Sequence, residues 1–436
     1  MSILSRAKFR LWWERASWVI PLTGIVLALM LNEAVRNIDE ALYAEGAVQE
    51  FSSSAAITIL AAIGGGMITF TGFVFSFVVL LLQFGSSAYS PRSVAYFLRA
   101  RAVQWILALF LATITFSFLT LIDTGSLNRE DFVPSGGVLL AIFLLLVSLI
   151  GFIGLLHVVG RRIRVDAVLS SIGESSQRAL RRSARYIPRG GTATPIGEEA
   201  TLALRKSDAL PDDSDDGSEI VSYVGRNGQV VAVDVAKLIR LVRRRKCEID
   251  VVVRVGDAVT PGTPIARVKG APKPLDRRIS AAIVVDSERS LVYDPLYALR
   301  LLVDVALRAL SPAVNDPTTA VRSLDEIEGV LRVAARERMG AISFELDPGR
   351  LVVSRPTWTE LVDLALVEIL TAGSSEIQVH RRLVALVSDL IPAVAESRRP
   401  VLAEYRSQLL ADAAEMPGRS GHIAGHGDRQ GLGGSS

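Results

Sequence analysis

Long apolar stretches separated by short polar segments fill the first 160 residues of the chain, and sequence of mixed character follows. Four such stretches lie at residues 18–31, 55–84, 102–122 and 136–160. The last three contain no Asp, Glu, Lys or Arg, and each reaches the ~20 residues that a helix needs to cross the hydrocarbon core. The first becomes long enough if Trp12 and Trp13 lie at the membrane interface, where tryptophan is favoured. We therefore predict four transmembrane helices.

Basic residues are distributed unevenly around these stretches, and their distribution predicts an orientation. Ten lie on the side that holds the N-terminus, whereas Arg36 and Arg129 are the basic residues of the opposite side. Lys and Arg are enriched in cytoplasmic loops, so we predict that both termini and the whole soluble half are cytoplasmic. The ten residues are Arg6, Lys8, Arg10, Arg15, Arg92, Arg99, Arg101, Arg161, Arg162 and Arg164.

The composition agrees with a membrane anchor joined to a soluble region. Of 436 residues, 50% are hydrophobic and 21% are charged, with a mean hydropathy of +0.37. The charged residues are concentrated after Arg161, which excludes a wholly soluble protein, a disordered chain and a collagen-like fibre. A net charge of +3 is too small to indicate nucleic-acid binding. The single Cys247 excludes a disulfide framework within one chain.

The second stretch is unusual both in its length and in its polar pattern. As a helix, residues 55–84 would extend ~45 Å, beyond the ~30 Å hydrocarbon core, so they must tilt, kink or project from the bilayer. Small and polar residues recur along one face of this helix at spacings of three, four and seven. This face is a candidate either for close helix packing or for lining a pore. Its residues are Thr58, Gly65, Thr69, Gly72, Ser76 and Gln83.

The charge-free spans restrict the class of membrane protein. Pumps, voltage sensors and many ion-coupled carriers need ionisable groups within the membrane, so their absence from these spans argues against those classes. Hydroxyl groups recur in the third stretch at Thr113, Ser117 and Thr120. A passive pore lined by hydroxyl and backbone groups is compatible with this pattern. Because four helices of one chain would hardly enclose a conduit, such a pore implies a homo-oligomer.

The predicted fold is membrane α-helical, with four transmembrane helices followed by a cytoplasmic α+β region of barrel-sandwich-like β hairpins and a helical bundle. One hairpin pairs residues 249–255 with 265–268 and resembles those of lipoyl- and biotinyl-type domains, without their modified lysine. The predicted divisions are a transmembrane domain at 1–160, a helical stalk at 161–187, a linker at 188–219, a β domain at 220–285, a helical domain at 286–415 and a disordered tail at 416–436.

Capping signals predict where several helices of the soluble region begin. Asp234 precedes an amphipathic segment that ends at the basic run of residues 243–246. Asp294 and Asp316 are each followed by proline, which is favoured at the first helical position. Thr357 and Glu360 have the spacing of a capping box.

The connection between two of these helices carries a specific resemblance to a known family. Residues 306–320 resemble the signature of DUF2254, a bacterial family of predicted membrane proteins, and residues 73–76 and 86–92 resemble its second-span pattern. The resemblance covers roughly residues 12–410 and implies a bacterial inner-membrane location, without an established activity. The signature contains a candidate structural motif of a helix end, a turn and an N-cap. The motif residues are Arg308, Ser311, Pro312, Asn315, Asp316 and Pro317.

The sequence contains no Gly-rich phosphate loop, His-Glu metal constellation or serine elbow. We therefore expect no catalytic, cofactor-binding or metal-ligating residues and no cofactor. The primary hypothesis is an oligomeric, channel-like or transport-related protein that moves an ion or small solute and has a cytoplasmic regulatory or assembly domain. The alternative is a non-conducting scaffold or sensor whose cytoplasmic domain binds a protein or small ligand. The expected partners are the lipid bilayer and further copies of the chain.

Overall fold

The computed structural model describes residues 18–44, 51–88, 101–124, 133–162, 165–185, 192–206, 218–270 and 275–415. They fall into two compact units, a membrane unit within residues 9–164 and a C-terminal unit that begins at Val165. The predicted tail and most of the ten basic flanking residues lie outside the described residues.

The membrane unit consists of apolar helices, and the prediction of four spans is confirmed. Each helix contains a segment long and apolar enough to cross a bilayer. Helix α3 contacts the other three, and its Phe110 and Phe116 are completely buried in their shared core. The helices are α1 (Val19–Ala44), α2 (Ser53–Ala88), α3 (Arg101–Thr124) and α4 (Ser135–Arg162).

Helix α1 extends beyond the apolar stretch that predicted it, because its polar residues find partners on other helices. The buried Asn32 donates from Nδ2 to Asp123 Oδ2 of α3 at 2.8 Å. Its Oδ1 accepts a hydrogen bond of 3.1 Å from the Thr120 hydroxyl, also on α3. Arg36 lies 3.9 Å from the same Asp123 carboxylate. Polar groups are tolerated within a membrane when they are hydrogen-bonded to other groups of the protein.

The start of α4 is held by a carboxylate from α1. Asp39, which is 8% exposed, accepts hydrogen bonds from the backbone N–H groups of Gly136 and Gly137 at 3.1 and 2.9 Å. These are among the N–H groups that a helix leaves without intrahelical partners. The negative charge is also favoured at the positive end of the helix dipole. A β-carbon on Gly136 would lie 2.5 Å from Asp39 Oδ1, so this approach requires glycine.

The C-terminal unit contains two sheets with a common hydrophobic core, including Val230 and Ile283 from one sheet and Ile249 and Leu351 from the other. The larger has the strand order β1-β8-β9-β4-β6-β2, and the smaller has the order β5-β3-β7. The strands are β1 (Thr192–Pro195), β2 (Ser218–Ser222), β3 (Gly228–Val233), β4 (Glu248–Val251), β5 (Ala258–Val259), β6 (Pro264–Lys269), β7 (Ile283–Asp286), β8 (Ile342–Glu345) and β9 (Arg350–Val353).

The larger sheet joins parts of the sequence that were predicted to be separate. Strands β4 and β6 form the predicted antiparallel hairpin, with Ile249 opposite Val268. Strand β9, from the predicted helical domain, pairs with β4 in parallel, so hydrogen bonds cross the predicted boundary at residue 285. Strand β1, from the predicted linker, pairs with β8.

Helices cover the sheets and form a bundle within the same unit. The predicted caps are confirmed, because Asp234, Asp294, Asp316 and Thr357 each accept a backbone N–H at a helix start. Helix α9 is buried along most of its length and contacts α5, α10 and α11. The helices are α5 (Val165–Arg185), α6 (Glu198–Lys206), α7 (Val235–Arg245), α8 (Asp276–Ser280), α9 (Pro295–Ala309), α10 (Pro317–Arg336), α11 (Trp358–Ala372), α12 (Ile377–Leu390) and α13 (Arg399–Glu415).

We predict that Asp39→Ala destabilises the membrane unit by about 1–3 kcal/mol, because it leaves the buried N–H of Gly137 and the partly buried N–H of Gly136 without this acceptor. The measurement is denaturation of the purified protein in detergent micelles. Glu33→Ala is the control, since Glu33 is exposed and bonds to Arg36 of its own helix. It should change stability by less than about 1 kcal/mol. Equal effects of the two substitutions would contradict the capping role.

Candidate functional site

The polar face predicted on the second span lies on α2, and the described residues of the chain leave it exposed. Its residues Thr58, Gly65, Thr69, Gly72, Ser76 and Gln83 are all exposed. The opposite side of the helix packs into the core of the membrane unit through Ala56, Leu60, Ile63, Met67 and Val74. A β-carbon at Gly65 or Gly72 would meet no atom within 4 Å. The face is therefore free of contacts with the other described helices at these glycines.

The hydroxyl groups of this face bond to their own helix. Thr58, Thr69 and Ser76 each donate to the carbonyl four residues earlier, at 2.7, 3.3 and 3.0 Å. Because the hydroxyl proton is used within the helix, the oxygen lone pairs are what the face presents outward. The face thus offers hydrogen-bond acceptors without a formal charge.

The hydroxyl groups of the third span have different surroundings. Thr113, Ser117 and Thr120 are buried inside the membrane unit. The Thr113 and Ser148 hydroxyl oxygens lie 2.9 Å apart and connect α3 with α4. Thr120 bonds in the same way to Asn32 of α1, whereas Ser117 donates to the Thr113 carbonyl of its own helix. The α3 hydroxyls are thus buried within the chain, unlike those of α2.

The candidate motif of the signature forms the connection between α9 and α10. Arg308 is exposed in the last turn of α9, and its carbonyl accepts a hydrogen bond of 2.7 Å from the Ser311 hydroxyl. Asn315 has a φ of 47°, a left-handed conformation that Asn adopts more readily than most residues. Asp316 caps α10 by accepting from Thr319 N at 3.1 Å, and Pro317 occupies the first turn. Pro312 lies exposed in the same connection.

A polar cavity of about 420 Å³, here called the arginine cleft, lies in the C-terminal unit. Its walls come from the β4–β5 connection, the β7–α9 connection, α9 and α11, which are far apart in sequence. Three guanidinium groups, two leucines and several carboxylates line it. The lining residues are Arg254, Val255, Gly256, Asp257, Arg289, Leu296, Arg300, Glu360, Asp363 and Leu364.

One wall of the arginine cleft is an ion-pair network centred on Glu360. Its carboxylate accepts from Arg254 Nη1 at 2.6 Å and from Arg205 Nη1 at 3.3 Å. It also accepts from the backbone N–H of Thr357, completing the capping box of α11. Burial opposes ionisation, but the Thr357 hydrogen bond and the two arginines outweigh it, so the pKa of Glu360 is below its ordinary value.

Another part of the lining holds Arg289 in place. The Arg289 Nε donates to Asp294 Oδ2 at 2.7 Å, and its guanidinium carbon lies 5.1 Å from the centre of the Tyr297 ring. Asp294 is 1% exposed and accepts from Tyr297 N at 3.0 Å as the N-cap of α9. Burial raises the pKa of the Asp294 carboxyl above its ordinary value, although the hydrogen bond from Arg289 acts in the opposite direction.

Nothing in the sequence pattern indicates the arginine cleft, although two residues in or next to its lining have a local signal. Asp294 and Glu360 were recognised as helix caps, and the structure gives each a second role as a partner of an arginine. A capping carboxylate has acceptor capacity left for such a partner, but the sequence does not show which arginine supplies it. Over the described part of the chain, no group of three or more His, Cys, Asp or Glu could hold a metal ion.

We predict that Glu360→Gln lowers the free energy of unfolding by about 1–3 kcal/mol at neutral pH, because hydrogen bonds to a charged group are lost. Since the folded-state pKa of Glu360 is lowered, its contribution is present above the ordinary glutamate pKa and lost as pH falls through the folded-state pKa. The difference from wild type should therefore shrink below about pH 4.

Denaturation curves in detergent at several pH values measure this difference. Glu199→Gln, at an exposed position of α6, is the matched control and should have little effect at any pH. A Glu360→Gln effect that persists unchanged in acid would exclude the charge as its cause.

Comparison with known proteins places this architecture in a family. An uncharacterised protein of Mycobacterium bovis is 28% identical over 441 aligned positions, which cover 95% of this chain and 79% of the relative. An uncharacterised protein of Mycobacterium tuberculosis has the same identity and coverage. No solved structure matches the chain. The family described as "Predicted membrane protein (DUF2254)" matches residues 14–389, and the chain is a member of that family.

Proposed function

We propose that this protein is a homo-oligomeric, channel-like protein of the bacterial inner membrane, with both termini in the cytoplasm and a C-terminal unit that regulates or assembles it. The observation that supports the proposal is the exposure of the residues of the α2 polar face among the described residues of a single chain. A polar helix face is disfavoured against lipid, and it is accommodated against another helix or against water. Further copies of the chain, arranged around a common axis, would supply both a neighbouring helix and a water-filled space.

The chemistry of the face supports a passive route for an ion or small solute. The face has no formal charge, and the hydroxyl oxygens of Thr58, Thr69 and Ser76 are available as acceptors. Acceptor oxygens can replace part of the hydration shell of a cation. We therefore propose that the route favours cations over anions.

The proposed orientation of the protein, with both termini in the cytoplasm, has a separate basis. It rests on the excess of basic residues on the side of the spans that holds the N-terminus.

The alternative, a non-conducting sensor or scaffold, is supported by a different observation. The arginine cleft is large enough for a small ligand and lies wholly within the C-terminal unit. Binding there would not require transport by the membrane unit. The channel and the non-conducting sensor or scaffold are distinguished by whether the protein conducts ions along the α2 face.

We predict that copies of the α2 face lie close together in the membrane. The experiment introduces Ser76→Cys into a Cys247→Ser background and applies an oxidant to membranes that contain the full chain. Disulfide-linked dimers are expected, because symmetry brings equivalent positions near the axis together. Ile150→Cys, at an α4 position that is 68% exposed, is the control and should cross-link far less. A monomer in mild detergent with no Ser76→Cys cross-link would refute the oligomer.

We also predict a cation-selective current from the purified protein in planar bilayers. Ser76→Leu should reduce or abolish this current, because it replaces an acceptor oxygen with a larger apolar group. Ile150→Leu is the control and should leave the current unchanged. Absence of current over a range of voltage, tension and pH would exclude the channel. If Ser76→Cys cross-links efficiently in the same protein, absence of current would favour the scaffold or sensor.

A further inference from the structure

Arg289 of the arginine cleft is held at its Nε, while the other end of its guanidinium group has no partner in the described part of the chain. Its Nε is bonded to the buried Asp294, and its planar face lies against Tyr297. Among the described residues, none hydrogen-bonds to its Nη1 or Nη2. The side chain is 26% exposed and lines the cavity. These two nitrogens form the fork with which arginine binds a carboxylate or phosphoryl group through two parallel hydrogen bonds.

The protein backbone leaves space for this end of Arg289. Gly256, in the β4–β5 connection, has a φ of 97°, a conformation that other residues rarely adopt. A β-carbon at Gly256 would lie 2.4 Å from Arg289 Nη2 and 2.7 Å from Asp294 Oδ2. Glycine at this position is therefore what allows the guanidinium group and its carboxylate partner to keep their places.

The other charged groups of the cleft have partners of their own. Asp257 and Glu360 are paired with Arg254 and Arg205. Arg300 is paired with Asp304 and, through both terminal nitrogens, with Glu368.

Asp363 is the remaining carboxylate of the lining. Its Oδ1 accepts a hydrogen bond of 2.7 Å from the Tyr405 hydroxyl, which leaves Oδ2 as an acceptor. Leu296 and Leu364 supply the apolar surface. The cleft therefore combines a guanidinium fork, an acceptor and an apolar wall.

We propose that the arginine cleft binds a small organic anion, with its carboxylate or phosphoryl group on Nη1 and Nη2 of Arg289. The rest of the ligand lies along Leu296 and Leu364, and a hydrogen-bond donor on it bonds to Asp363. The volume of about 420 Å³ suits a molecule of metabolite size. The site lies outside the membrane unit, so the inference does not depend on conduction through the α2 face.

The experiment measures binding to the full chain in detergent by calorimetry and by the shift of the thermal unfolding midpoint. The probes are inorganic phosphate, pyrophosphate, citrate and adenosine monophosphate, each compared with chloride at the same ionic strength. Saturable binding of at least one probe is expected. Comparing the phosphoryl compounds with citrate distinguishes binding of a phosphoryl group from binding of a carboxylate. Tighter binding of adenosine monophosphate than of inorganic phosphate would support the contribution of the apolar wall and Asp363.

Arg289→Gln should weaken binding by about tenfold or more, because hydrogen bonds between charged groups are lost. Arg289→Lys retains the charge without the fork and should also bind more weakly, so the comparison does not depend on the folding of the glutamine variant. Arg322→Gln is the control at a surface arginine that is 55% exposed and paired with Asp166 and Asp325, and it should bind like wild type. Lack of saturable binding to wild type, or equal affinity in the Arg289 variants, would overturn the proposal.

Discussion

A hydrocarbon environment supplies no hydrogen bonds, so the polar atoms of the four membrane helices must find partners in protein or water. This constraint explains the arrangement of α1, in which Asn32 and Asp39 bond to atoms of α3 and α4. The hydroxyl groups of α2 and those of α3 meet the same constraint in different ways. The α3 hydroxyls are buried inside one chain, whereas the α2 hydroxyls bond to their own backbone and remain exposed. At Thr58, Thr69 and Ser76 the α2 face thus meets this requirement within its own helix and presents the hydroxyl oxygens outward.

Local signals predicted the membrane spans and several helix starts, because such signals act within a few residues, whereas strand β1 in the predicted linker and strands β8 and β9 in the predicted helical domain were missed. Charge-free apolar runs identified the spans, and Asp234, Asp294, Asp316 and Thr357 identified helix starts, since a cap depends on the N–H groups two or three residues ahead. The first span was predicted too short for a related reason. Residues such as Asn32 and Asp39 are polar in isolation, and only their partners on α3 and α4 make them compatible with a long helix.

Long-range pairing could not be predicted in the same way. The β4–β9 pair joins residues about one hundred positions apart, and nothing near Ile249 indicates Leu351 as its neighbour. The arginine cleft depends on such pairings, because Arg254 follows β4 and Glu360 follows β9. Helix packing and pore lining are both open interpretations of the α2 face, since each depends on neighbours that a single chain does not contain.

The β4–β9 pair also determines how the C-terminal unit can be divided. A fragment that ended at residue 285 would keep β4 and β6 but would lose the partner on the other side of β4. The backbone groups of β4 on that side would then be open to any other strand, and apolar residues such as Ile249 and Val251 would lose part of their cover. Unpaired strands of this kind promote aggregation. Loss of β9 after proteolysis would thus convert β4 from an internal strand into an exposed edge strand.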